Sequence, residues 1–310
     1  MLRRTQTIYV TLDAFLSPRG KVLHRFERLL EGLSEHEFPC VLLTSWTRAQ
    51  LDEPRRRLGH DAPFIGEGGS GVYLPEDYFH LKSGNTIRLG RFTCIPVAKP
   101  QPAAAEALED LAADLNTSIV PLRSLSPREL RENTGLPQSE AEQIRMRDFD
   151  ELFFFAGPSD AEITKFSEEA KLRGLTLQRS GGFWSISCGG DYAKCIREIG
   201  GLYDRAIRAH ALKVGVAVTA RDDVSTQVSA DSAIRSLKVV CDRMFLLTER
   251  NPNVRLELDT AGAIAEEESA GAEPESSGIE LSKEHRNRNA FHLHSPDLWD
   301  TVLADILARK

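Results

Sequence analysis

The sequence predicts an α/β protein with a doubly wound parallel sheet and an inserted α+β domain. Three apolar, β-branched stretches, at 7–12, 39–43 and 213–219, are followed by segments in which apolar residues recur at helical spacing. Strands that are apolar throughout are typical of a parallel sheet covered by helices on both faces. Between the second and third stretch the pattern changes to hairpins and short helices, which indicates an insert at 86–188.

The first part of the core is predicted at residues 1–85. Phe26, Leu29 and Leu33 lie on one face of the helix that follows the first strand. A second helix, "TRAQLDEPRRRLG", ends at Gly59, a residue that commonly stops helices. The next segment, "PFIGEGGSGVYLPEDYF", is interpreted as two strands joined by a glycine-rich turn.

The insert contains a predicted helix whose first residues are typical of a helix N-terminus. Ser126 is predicted to cap it, Pro127 occupies the first helical position, and Glu129 lies in the first turn. "TIRLGRFTCIPVA" and "FDELFFFAG" are strand candidates, and "LTLQRSGGFWSISCGG" is a predicted hairpin.

After the insert, residues 189–250 are predicted to return to the core. Residues 251–283 are small and acidic, which is typical of a flexible linker, and 284–310 end in a helix. Ser295 and Pro296 are predicted to start that helix. Its apolar face must be buried against this chain or against a protein partner.

The amino-acid composition argues against several kinds of partner and indicates where the protein is located. The net charge of −7 argues against nucleic acid and against an anionic membrane as a partner, since both favour a basic surface. No apolar run is long enough to span a bilayer, and the start of the sequence lacks the pattern of a signal peptide. Five scattered cysteines without a C-x-x-C pair indicate reduced thiols, so a cytoplasmic protein is expected.

Polar residues follow three of the core strands, where ligands bind in a doubly wound sheet. Asp13 follows the first strand and offers a general acid, and Thr44 follows the second and offers a hydrogen bond to a phosphate oxygen. Asp222 and Asp223 follow the later strand and are candidate magnesium ligands. Each residue taken singly is better explained as a turn or cap residue.

Five segments resemble, in order, those of the mannosyl-3-phosphoglycerate phosphatases, which belong to the haloacid dehalogenase superfamily. The segments are "SWTRAQLD", "PFIGEGGSGVYLPEDYF", "RELRENTGLP", "RMRDFDELF" and "GGFWSISCGGDYAKCIREIGGLY". The likeness extends from about residue 7 to residue 245. It implies a Rossmann-like core with an inserted cap domain that closes over a phosphorylated glycoside, and magnesium as the cofactor.

The resemblance also implies a set of site residues. Catalysis would involve Thr11, Asp13 and Thr44, and magnesium would be held by Asp13, Asp222 and Asp223. The residues predicted to bind the substrate are Ser45, Arg48, Glu67, Gly69, Arg147, Asp148 and Lys194.

The first family motif, D-x-D-(G/K)-T, corresponds here to "TLDAF". Thr11 therefore stands where the family has its nucleophilic aspartate, Phe15 replaces the threonine, and Asp13 is kept. The family lysine that stabilises the transferring phosphoryl group corresponds to Tyr192. Lys194 lies two residues on, a rotation of about 200° around a helix.

The family's magnesium motif corresponds to "VTARDD", with Thr219 in place of its first aspartate, Asp222 in place of its asparagine, and Asp223 kept. An aspartyl-phosphate cannot form without a carboxylate nucleophile. The departures favour an impaired member that binds a phosphorylated sugar or a protein partner. The alternative is an active magnesium-dependent phosphoric monoester hydrolase with rearranged catalytic groups.

His285, His292 and His294 form a further candidate, because H-x-H places two ligands on one face of a strand. No third ligand is evident in the sequence, and a solvated segment explains these residues better.

Overall fold

A computed structural model describes residues 6–13, 23–79, 85–180, 182–219, 224–248, 288–292 and 298–308. The strands are β1 (Gln6–Thr11), β2 (Cys40–Leu43), β3 (Phe64–Gly66), β4 (Gly71–Pro75), β5 (Ile87–Leu89), β6 (Phe92–Pro96), β7 (Ile119–Pro121), β8 (Asp150–Phe155), β9 (Thr176–Ser180), β10 (Phe183–Ser187), β11 (Leu212–Thr219), β12 (Arg243–Thr248) and β13 (Arg288–His292). The helices are α1 (Leu23–Glu35), α2 (Arg48–Arg57), α3 (Gln101–Asp114), α4 (Pro127–Thr134), α5 (Gln138–Gln143), α6 (Asp160–Leu172), α7 (Tyr192–Ile207), α8 (Val224–Val240) and α9 (Leu298–Ala308).

The larger sheet has the strand order β13-β12-β11-β1-β2-β3-β4-β6-β5. Its strands from β13 to β3 are parallel, and β1 lies between β2 and β11 at its centre. All residues of β1 and β2 are buried, as their apolar sequences predict. The parallel arrangement brings the carboxyl ends of β1, β2, β3 and β11 to one edge, which confirms the predicted Rossmann-like core.

Helices cover both faces of this sheet. On one face α1, α2 and α9 pack on Ile8 and Val10 of β1 and on neighbouring strands. On the other face α7 and α8 pack on Tyr9 and on Val41 of β2. Burial of alternate side chains on opposite faces explains why β1 and β2 carry no polar stripe.

The hairpin of β5 and β6 extends the larger sheet, although its sequence segment was assigned to the insert at 86–188. β6 pairs antiparallel with β4, with Tyr73 opposite Cys94 and Val72 opposite Ile95. Local periodicity identifies a hairpin but does not reveal which sheet receives it. The larger sheet includes the strands up to Pro96, so a division of the chain by sheets would start the insert after Pro96. The predicted domain boundaries stay a prediction.

The second sheet has the order β7-β8-β10-β9 and is antiparallel throughout. Helices α3 and α6 pack on one face, and α4 and α5 contribute to an apolar cluster on the other. The predicted start of α4 is confirmed, because the Ser126 hydroxyl accepts the N–H of Glu129 and the Glu129 carboxylate accepts the N–H of Ser126. The sheet and its helices form the cap layer over the core.

The C-terminal helix α9 packs on this chain's own core. Trp299, Val302 and Ile306 are buried in the cluster formed with α1. The guanidinium of Arg243 donates to the carbonyls of Asp305 and Ile306 and so holds the helix end against β12. The predicted apolar face is therefore covered within the chain. Ser295, Pro296 and the linker at 251–283 lie outside the described residues.

In the described ranges, no helix combines the length and the apolarity that crossing a bilayer requires. Cys40, Cys94, Cys188, Cys195 and Cys241 are all unpaired thiols.

Candidate active site at the carboxyl edge of the sheet

Thr11 is the last residue of the central strand β1, and its side chain forms a hydrogen bond within the sheet. Its side chain is buried, and its hydroxyl oxygen accepts the backbone N–H of Val218 at 3.1 Å. This bond ties β1 to the neighbouring strand β11. The Thr11 hydroxyl therefore stabilises the sheet edge.

Asp13 is the carboxylate that the structure places at this edge. Both of its oxygens accept the N–H of Ser45, at 3.1 and 2.9 Å, and one also accepts the hydroxyl of Thr44. The Thr44 oxygen in turn accepts the N–H of Trp46 at 3.1 Å. This bond orients the Thr44 hydroxyl so that its hydrogen points at Asp13. The three predicted residues Asp13, Thr44 and Ser45 thus lie together.

Tyr192, at the position of the family lysine, begins α7 and is buried. Burial raises the pKa of its hydroxyl well above the usual range, and the nearby negative charge of Asp13 adds to this effect. Lys194 is exposed on the same helix, and its N–H donates to the capping side chain of Asp191. The structure therefore brings Tyr192 to the site and leaves Lys194 at the surface.

Arg147 joins the cap to the end of β2. Its guanidinium forms a buried ion pair with Asp150 and donates to the carbonyl oxygen of Ser45 at 2.7 Å. The exposed fraction of the two charged side chains is 4% for Arg147 and 1% for Asp150. Ser185 donates its hydroxyl to Asp150 at 2.5 Å. A buried pair with these additional hydrogen bonds meets the condition under which burying charges is tolerated.

Arg48 and Asp148 form a second bridge between core and cap. Their side chains pair at 2.9 Å, and both are more exposed than the Arg147 pair. The Tyr73 hydroxyl lies 3.0 Å from the Asp148 carboxylate. Both predicted substrate-binding residues are therefore engaged with each other and with the core sheet.

Glu67 lies below this bridge and is fully buried. Its carboxyl group accepts the backbone N–H groups of Asp148, Phe149 and Asp150 at 2.8–3.3 Å. Glu67 adopts a left-handed backbone (φ 48°), which turns its side chain under the cap. The residue predicted to bind substrate instead connects the turn after β3 to the start of β8.

Burial raises the pKa of Glu67 to about 8, and the carboxylate of Asp150 adds to the rise while Arg147 opposes it. The backbone N–H of Asp148, which the Glu67 carboxyl group accepts, also opposes the rise in pKa. The Tyr73 hydroxyl lies 3.2 Å from Glu67 Oε1 and 3.0 Å from Asp148 Oδ2. Tyr73 has one hydrogen, so if both contacts are hydrogen bonds, one of the two carboxyl groups supplies a second hydrogen.

Gly69 is required for close packing. Its φ is +85°, and a Cβ at this position would lie 2.5 Å from the backbone nitrogen of Tyr192. Its carbonyl oxygen accepts the N–H of Asp191. The glycine therefore lets the turn after β3 touch the start of α7, which places Tyr192 at the site.

Of the three carboxylates that the resemblance assigns to magnesium, the described residues include one, Asp13. Magnesium prefers carboxylate and water oxygens in an octahedral arrangement, whereas Thr11 offers a hydroxyl that already accepts a backbone N–H. Both Asp13 oxygens accept hydrogen bonds from the end of β2. Within the described ranges no three His, Cys, Asp or Glu side chains are grouped as a metal site requires. Asp222 and Asp223 lie outside the described residues.

Three residues that build the site were missed by sequence reasoning: Tyr73, Asp150 and Ser185. Each lies on a strand where alternation marks it only as inward-facing. Asp150 carried one usable signal, since it lies three residues after Arg147, within reach of an ion pair. Tyr73 and Ser185 have partners that are distant in sequence, Asp148 and Asp150, so their roles required the fold.

The chain is similar in sequence to curated phosphatases. A glucosyl-3-phosphoglycerate/mannosyl-3-phosphoglycerate phosphatase from Methanococcoides burtonii is 27% identical over 197 residues, which cover 63% of this chain and 72% of the relative. A mannosyl-3-phosphoglycerate phosphatase from Pyrococcus furiosus is 22% identical over 210 residues, which cover 68% of this chain and 83% of the relative.

Solved structures share the fold. A crystal structure of a Thermoplasma acidophilum protein superposes with a TM-score of 0.52 at 12% identity, covering 81% of this chain and 88% of that chain. At this identity the likeness shows the α/β fold alone. No protein-family model matches the chain.

Proposed function

We propose that the chain is a member of the haloacid dehalogenase superfamily that binds a phosphorylated glycoside but does not hydrolyse it efficiently. Its similarity to curated glucosyl- and mannosyl-3-phosphoglycerate phosphatases supports this proposal. The ligand would be of the mannosyl- or glucosyl-3-phosphoglycerate type. It would enter between the core and the cap, at the carboxyl edge of the larger sheet.

The observation that carries this proposal is the state of Thr11. A threonine hydroxyl has a high pKa and attacks phosphorus only when a base removes its proton. Here the hydroxyl oxygen accepts the N–H of Val218, and the side chain is 4% exposed. The described part of the site supplies no base that is hydrogen-bonded to Thr11. The route through an aspartyl-phosphate therefore lacks its nucleophile.

The charges of the described site residues also support impaired hydrolysis. Preorganised positive charge is a main source of catalysis in phosphoryl transfer. Tyr192 replaces the lysine, and the buried Arg147 is paired with Asp150. Neither group offers the developing negative charge a cation.

A second candidate is an active magnesium-dependent phosphatase for the same class of substrate. It is favoured by the names of the curated relatives, all of which are phosphatases. It would require Asp222 and Asp223 to complete a metal site with Asp13 and to replace what Thr11 and Thr219 have lost.

Phosphate release separates the two candidates. We expect no magnesium-dependent release above the buffer rate from mannosyl- or glucosyl-3-phosphoglycerate, either by the unmodified chain or by Asp13→Asn. The Methanococcoides burtonii relative, assayed under the same conditions, serves as the positive control. Turnover by the unmodified chain that Asp13→Asn abolishes would refute the impaired reading and establish Asp13 as a catalytic group.

A further inference from the structure

The end of β2 presents two hydrogen-bond donors that point at one place. The Thr44 hydroxyl is fully buried and is oriented by the Trp46 N–H, which its oxygen accepts at 3.1 Å. The Ser45 N–H points to the same side, at 2.9 and 3.1 Å from the two Asp13 oxygens. Two convergent donors held by backbone bonds form a site for an oxyanion.

The donors are held rigidly by the surrounding chain. The backbone of Thr44 is bonded on both sides, since its N–H donates to Ile65 and its carbonyl accepts the N–H of Gly68. The carbonyl of Ser45 accepts the buried guanidinium of Arg147 at 2.7 Å. The site therefore keeps its shape whether or not an anion lies in it.

The oxyanion that lies in the site is the chain's own Asp13 carboxylate. Both of its oxygens contact the Ser45 N–H, and one accepts the Thr44 hydroxyl. We propose that the Thr44–Ser45 donor pair is an oxyanion site that Asp13 fills from within the chain, so that a phosphoryl group must displace Asp13 to bind. The proposal deepens the proposed function, on which it rests for the phosphorylated nature of the ligand.

Asp13 and a phosphoryl group compete for the same two hydrogen-bond donors. The Thr44 hydroxyl and the Ser45 amide have one hydrogen each, so they cannot serve a carboxylate and a phosphate together. Two anions at hydrogen-bond distance from the same donors also repel each other, by about 1 kcal/mol in water to about 4 kcal/mol near a protein surface for unit charges about 4 Å apart. Asp13 thus lowers the affinity of the site for any phosphorylated ligand.

The test is the affinity of the full chain for inorganic phosphate, measured by isothermal titration calorimetry in metal-free buffer with a chelator. We expect Asp13→Ala to bind phosphate at least tenfold more tightly than the unmodified chain. Asp13→Asn keeps the side-chain shape, removes the charge, and is expected to move the affinity in the same direction. Glu106→Ala removes an equal charge from the exposed face of α3 and is expected to leave the affinity unchanged.

The double variant Asp13→Ala/Thr44→Val assigns any gain to this site. Valine matches the shape of threonine without the hydroxyl, so the gain is expected to disappear. Phosphate affinity that is unchanged or weaker in both Asp13 variants would overturn the proposal, as would a gain that survives Thr44→Val. No substrate or magnesium is involved, so this outcome is independent of the phosphate-release assay.

Discussion

Replacing Arg147 by methionine is expected to reduce the free energy of unfolding by about 3–5 kcal/mol, because it leaves a buried carboxylate without its partner. Arg147 is the cation paired with Asp150, and it also donates to the carbonyl of Ser45. Methionine has a similar length but no hydrogen-bond donor. Chemical denaturation of the full chain, followed by circular dichroism, measures the loss.

An exposed ion pair provides the matched control. Arg128 and Glu132 pair at 2.8 Å on the surface of α4, with side chains 79% and 51% exposed. Arg128→Met should cost less than about 1 kcal/mol, the usual value of an exposed pair. Equal losses for the two variants would show that burial of the Arg147 contacts adds nothing to stability.

The second large effect is on the pH dependence of stability. Burial raises the pKa of Glu67 from 4.5 to about 8, so the folded chain keeps a proton that the unfolded chain releases. Stability from this group is therefore fully present below about pH 4.5 and is lost as the pH rises to about 8. The slope for one proton is on the order of 1 kcal/mol per pH unit.

The charges around Glu67 explain the direction of the shift. Arg48 and Arg147 supply two positive charges, and Asp148 and Asp150 supply two negative charges that pair with them. An ionised Glu67 would add a third, unbalanced negative charge in a buried site. Protonation of Glu67 removes this charge.

Glu67→Gln isolates the contribution of this residue. The neutral amide approximates the protonated acid, since its oxygen accepts the backbone N–H groups and its nitrogen donates to Tyr73. The difference in unfolding free energy, unmodified chain minus variant, should fall between about pH 4.5 and about pH 8. A difference that is flat or rises with pH would show that Glu67 is ionised in the folded chain.

The core could be predicted from the sequence because its strands are continuous apolar runs, which identify them locally. The buried runs at β1, β2 and β11 predicted a parallel sheet, and their carboxyl ends predicted where Asp13 and Thr44 would meet. Helix N-termini that begin with a capping residue, such as Ser126, could also be predicted. These features depend on periodicity and local hydrogen bonding, which a single sequence contains.

Long-range pairing could not be read in the same way. The turn "GEGGSG" marks Glu67 only as a polar residue between glycines, yet its bonds reach Asp148, 81 residues away. Similarly, nothing local predicts that the β5–β6 hairpin joins β4. The partner of a buried charge is decided by the fold, so the contacts among Arg48, Glu67 and Asp148 could not be predicted from the sequence.

These contacts give the site a physical description. The predicted substrate-binding residues Arg48, Glu67, Arg147 and Asp148 connect core and cap through buried hydrogen bonds and ion pairs. Thr11 holds the sheet edge, and Asp13 lies on the donors at the end of β2. Under the proposal made above, a ligand competes with Asp13 for the donors at the end of β2.

The most direct test of the central claim, binding without hydrolysis, is phosphorus-31 magnetic resonance of the full chain mixed with an equal amount of mannosyl-3-phosphoglycerate and magnesium. The account predicts that the phosphomonoester resonance shifts or broadens when protein is added and that no inorganic phosphate resonance grows over hours. Growth of inorganic phosphate in proportion to protein concentration would contradict the loss of hydrolysis. A phosphomonoester resonance unchanged at millimolar protein would contradict binding.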